Sequence, residues 1–167
     1  MRLKRVKKLL GLACVAAVAV TMVGACSQNA EDEPTSQELN RAYMSQVQQI
    51  SDDLQEGLDA FADAVSRDDL VAMQTQLENA CKNLDALDEL DVPEDLEDVH
   101  AAYAEGAEEL RTALKDYVDL YSRVDSAEGL ESFDWSSYGD LLKDIQEKYD
   151  AGIESLSKGD TLASEKE

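Results

Sequence analysis

From residue 37 onward, apolar residues recur every three or four positions, the spacing that lines one face of an α-helix. The first stripe is Leu39, Tyr43, Val47, Ile50, Leu54, Leu58, Phe61 and Val65, and Asp52, Asp53, Glu56, Asp59 and Asp63 fall off it, toward water. Thr35 followed three residues later by Glu38 is the reciprocal capping box that opens a helix. Ser66 to Asp69 is polar and short, so it reads as a turn. The next stripe is Leu70, Met73, Leu77, Ala80 or Cys81, Leu84 and Leu87, a second helix.

Asp91-Val92-Pro93-Glu94 predicts a third helix start. Asp91 is placed to cap it, Pro93 is tolerated in a first turn, and Glu94, Asp95, Glu97 and Asp98 suit the positive end of the helix dipole. Leu96, Tyr103, Leu110, Tyr117 and Val124 follow at intervals of seven, with Val99, Gly106, Ala113 and Leu120 between them, the spacing of a bundle core. Ser126 to Phe133 contains Gly129 and interrupts the pattern. A last stripe, Tyr138, Leu141, Leu142, Ile145, Tyr149, Ile153 and Leu156, predicts a helix from about Ser136 to near Gly159 and a frayed tail over residues 159–167. Four amphipathic helices on short connectors, with no convincing strand, predict an all-α fold. We expect an antiparallel up-down-up-down four-helix bundle over residues 37–158; a three-helix bundle with a loose fourth helix satisfies the same pattern.

The first 36 residues follow a different pattern. Arg2, Lys4, Arg5, Lys7 and Lys8 form a positive head, and Leu9 to Val23 is apolar without a charge. That run is about 15 residues, short of the ~20 a spanning helix needs, and the layout is that of an export signal. It closes on Val23-Gly24-Ala25-Cys26, which resembles the lipobox of bacterial lipoproteins. The resemblance implies a signal peptide over residues 1–25, cleavage after Ala25 and a diacylglyceryl group on Cys26. Residues 26–36 then hold the lipidated Cys and a flexible tether that contains Pro34 and reaches roughly 35 Å when extended. By the same resemblance the protein is extracytoplasmic and lipid-anchored to the cell membrane. Ser27 after the lipidated Cys, rather than Asp, implies the outer membrane if the cell has two. Leu87 to Leu120, with Pro93, His100, Tyr103, Leu110, Ala113 and Leu114, is similar to small helical-bundle lipoproteins of unknown function, a resemblance that implies no activity.

Cleavage would leave 142 of the 167 residues, enough for one domain with a core. Taking the five leader cations from 15 Lys and Arg leaves ten against 37 Asp and Glu, a formal charge of −27. Such a surface repels nucleic acid and anionic headgroups, so membrane attachment is expected to rest on the lipid and no nucleic-acid partner is expected. With Cys14 in the leader and Cys26 carrying lipid, Cys81 has no partner for an intramolecular disulfide and is expected to pack as a small hydrophobe.

Chemistry is sparse. Glu97 and His100 share a helix face as in di-iron bundles, but that site needs a second Glu-x-x-His, and His100 is the only histidine. Haem held by His100 with Met44 or Met73 gives way to packing roles for all three, and a Cys81 and His100 nucleophile pair lacks an orienting third group. We therefore expect no enzyme activity and no cofactor beyond the covalent lipid. Asp85, Asp88, Glu89, Asp91, Glu94, Asp95, Glu97 and Asp98 place eight carboxylates in fourteen residues with no cation among them. Asp88, Asp91, Glu94 and Asp95 are the candidates for a Ca²⁺ site or a cationic partner; without an Asp-x-Asp-x-Asp-Gly loop, a solvated acidic tip is the plainer reading. Phe133, Trp135 and Tyr138 concentrate aromatics at a connector, where they can anchor a partner or cap the end of a bundle. The expected role is a protein-interaction or structural module at the cell envelope, bound to a protein partner. The alternative is a binding protein for a cation or for a small ligand in a pocket floored by Gly106 and Gly152.

Overall fold

Helix α1 spans Ser36–Ser66 and begins at the expected cap. The Glu38 N–H donates to Thr35 Oγ1 at 3.3 Å, and the Thr35 N–H donates back to the Glu38 carboxylate at 2.9 Å. The Thr35 N–H, together with the Thr35 hydroxyl, which donates to the same carboxylate at 2.9 Å, holds the Glu38 carboxyl below its ordinary range. The computed structural model describes residues 34–127 and 133–166, and among these it contains four α-helices and one 3-10 turn, with no strand. The leader, Cys26 and the tether up to residue 33 lie outside the described residues, as do residues 128–132, Gly129 among them.

Along α1 the stripe is buried at Tyr43, Val47, Leu54, Phe61 and Val65, whereas Ile50 and Leu58 are half-covered. Leu39 departs from expectation: it is 44% exposed, one turn ahead of Tyr43, where burial begins. The helix ends without glycine. Asp68 takes the left-handed backbone at φ 57°, while the Asp69 N–H returns to the Ala64 carbonyl and the Asp68 N–H to that of Val65. This closure satisfies the last carbonyls of α1, and Asp tolerates the left-handed region better than most residues. Asp69 then caps α2, Leu70–Asp88, by accepting from the Ala72 N–H at 3.0 Å. On α2 the choice between Ala80 and Cys81 is settled by burial: Ala80 is fully enclosed and Cys81 half-exposed.

The third helix does not start at Asp91. Val92 precedes Pro93, and the proline ring disfavours a helical backbone in the residue before it. The chain stays extended at Pro93, forms a 3-10 turn over Glu94–Leu96, and only then enters α3, Glu97–Asp125. Helix α4 runs over Tyr138–Glu165, so it starts two residues later and ends six residues beyond the expected ends. Gly159 is no stop. It lies beneath the Tyr103 ring, where a Cβ would sit 2.5 Å from Cε1, and helix continues past it.

Helix α3 runs closest to α4, while α2 packs on both α1 and α3. The heptad residues Leu96, Val99, Tyr103, Leu110, Ala113, Tyr117 and Leu120 are all buried, and Val124 is half-buried at the end. Gly106 is enclosed against α4: a Cβ there would lie 2.8 Å from the Gly152 carbonyl oxygen. No helix among the described residues is long and apolar enough to cross a membrane.

Candidate functional site

Cys26, the residue with the clearest expected chemistry, lies outside the described residues. The remaining candidates fall in four places.

The acidic segment is divided among different partners. Arg111 on α3, only 14% exposed at its side chain, donates to Asp85 at 3.0 Å, to Asp88 at 2.9 Å and to Glu108 at 2.6 Å. Burial alone would lower the Arg111 pKa, but the bonds to Asp88 and Glu108, with the charges of Asp88 and Asp85, outweigh it and raise the pKa. Farther along, Glu94, Asp95, Glu97 and Asp98 border an open polar hollow together with Asn40 and Lys166. Lys166 pairs with Asp98 at 3.0 Å, and this bond is the main reason the Asp98 carboxyl titrates below its ordinary range. The four candidate ligands are thus split: Asp88 goes to Arg111, Glu94 and Asp95 border the hollow, and Asp91 stands exposed between them. Among the described residues, no three His, Cys, Asp or Glu side chains converge as metal ligands would. Cations that are absent from the segment in sequence reach it from α3 and from the end of α4.

His100 is half-buried and hydrogen-bonded through Nδ1 to the Tyr43 hydroxyl at 3.0 Å, with the rings edge to face. Tyr43 is 1% exposed, and desolvation pushes its pKa up to about 12, so it stays a neutral phenol. Close by, the Tyr103 hydroxyl donates to Asp160 Oδ1 at 2.8 Å; burial first, then that carboxylate, raises the Tyr103 pKa. Sequence places Tyr43 only on the apolar stripe and gives Asp160 no role, because the partner of each lies 57 residues away in the chain. Cys81 is half-exposed, and burial raises its thiol pKa against the opposing pull of Lys115 and Arg111, a setting that disfavours the thiolate.

The aromatics at the connector pack on one another. Phe133 and Trp135 have ring centroids 4.9 Å apart, Trp135 and Tyr138 5.6 Å, and Phe133 and Tyr138 6.1 Å. Phe133 is buried, with the Arg123 guanidinium 5.5 Å from its ring centre, while Trp135 and Tyr138 are half-covered against the core. Asp134 holds the turn by accepting from the Ser136 hydroxyl at 2.6 Å and the Ser136 N–H at 3.0 Å, which lowers its carboxyl pKa. The three rings thus pack on one another and on the core, with Trp135 and Tyr138 more exposed than Phe133.

The space over Gly106 and Gly152 is filled. A Cβ on Gly106 would meet Leu156 at 2.9 Å, and one on Gly152 would meet Leu110 Cγ at 2.7 Å. A small cavity of about 30 Å³ does lie where Phe61 of α1, Leu114 and Tyr117 of α3, and Leu142, Ile145 and Tyr149 of α4 meet. That is room on the scale of a water molecule, against the ~150 Å³ that accommodates benzene. Tyr117, which lines it, has a buried hydroxyl without a hydrogen-bond partner among the described residues. A ligand pocket floored by the two glycines is therefore not built. No family model matches this chain, and comparison with curated proteins and with solved structures likewise finds no match.

Proposed function

We propose that this chain is a lipid-anchored extracytoplasmic protein whose helical domain serves as a protein-interaction or structural module at the cell envelope. The observation that carries the proposal is the order of the first 26 residues: a cationic head, an uncharged apolar run too short to span, and Val23-Gly24-Ala25-Cys26. The anchor lies on Cys26, the tether runs from residue 27 to the Thr35 cap of α1, and the destination is the outer membrane if the cell has two. The partner is a protein met outside the cytoplasm.

The domain itself we take to be an antiparallel up-down-up-down bundle. Pairings along the helices support this. Tyr43 meets His100 and Phe61 meets Tyr117, so positions rise together along α1 and α3. Tyr103 meets Asp160 and Asp116 meets Lys148, so α4 runs the other way. The filled seam between α3 and α4 favours a role exerted at the surface over one that encloses a small ligand.

The test is metabolic palmitate labelling of the full-length chain expressed in a bacterium, followed by membrane fractionation. Wild type is expected to take up label and to sediment with membranes. Cys26→Ala is expected to take up none and to accumulate as precursor or as a soluble form. Equal labelling of the variant would remove the anchor assignment and, with it, the proposed location.

A further inference from the structure

We draw no further inference here: the strongest candidate, the half-buried apolar stripe of α4 formed by Leu142, Tyr149, Ile153 and Leu156, carries nothing because nothing in the structure shows what covers its exposed side.

Discussion

On the side facing α4, α3 brings Gly106 so near Gly152 that an added Cβ would come within 2.8 Å of a carbonyl oxygen. On the side facing α1 it reaches across with large groups instead: His100 to the Tyr43 hydroxyl, and Tyr117 edge to face with Phe61 at 5.8 Å between ring centres. Backbones approach in the first case, and side chains fill the distance in the second. The glycine on α1, Gly57, accordingly has nothing within 4 Å of where its Cβ would be. Glycine in these helices therefore has two meanings: at Gly106, Gly152 and Gly159 it is demanded by a neighbour, and at Gly57 it is not.

Leu110 has no exposed surface and packs directly over Gly152, so it tests the close seam most severely. Leu110→Asp would place an uncompensated carboxylate there at a cost of about 3–5 kcal/mol, a large part of the 5–15 kcal/mol typical of a domain. We expect loss of the cooperative thermal transition followed by circular dichroism. A melt unchanged from wild type would mean that Leu110 is not in the core.

Alkaline pH tests the side-chain interface toward α1. Tyr43 is nearly inaccessible, and its pKa stands at about 12 against an ordinary value near 10. A raised folded value means that the unfolded chain ionises first. Stability is then whole below about pH 10 and falls as pH rises toward 12, by about 3 kcal/mol from this residue alone. Burial raises Tyr103 and Tyr117 in the same direction. Denaturant melts at steps through this range should show the decline, and Tyr43→Phe should make it shallower. An equally steep decline in that variant would show that the Tyr43 hydroxyl is not protected by the fold.

What could be read from the chain follows the same division. The heptads from Leu96 to Leu120 were legible because burial on one helix face leaves a periodic record. The end of α4 was not, since a glycine near the close of a stripe looks the same whether it terminates a helix or makes room for a ring, and Tyr103 lies 56 residues before Gly159. The start of α3 at Glu97 rather than Asp91 was obscured because capping residues and proline argue for opposite conformations at Val92. The cations that answer the acidic segment were hidden by distance: Arg111 is 26 residues from Asp85 and 23 from Asp88, beyond any local charge count.

The smallest expected effects separate the two kinds of glycine. Gly152→Ala gains helix propensity but drives a methyl into Leu110 Cγ at 2.7 Å, with the Leu110 nitrogen at 3.0 Å and the Gly106 oxygen at 3.1 Å behind it. Because backbone atoms cannot turn aside as a flexible side chain can, we expect a net loss of about 1–3 kcal/mol. Gly57→Ala makes the same chemical change in α1 without a neighbour to displace. There the helix should keep the benefit of alanine, about 0.5–1 kcal/mol, and melt slightly higher. Urea titrations of both variants against wild type, fitted with a common slope, would resolve shifts of this size and opposite sign. If Gly57→Ala destabilised the protein as much as Gly152→Ala, α1 would be pressed as closely as α4, and the distinction between a backbone seam and a side-chain seam would collapse.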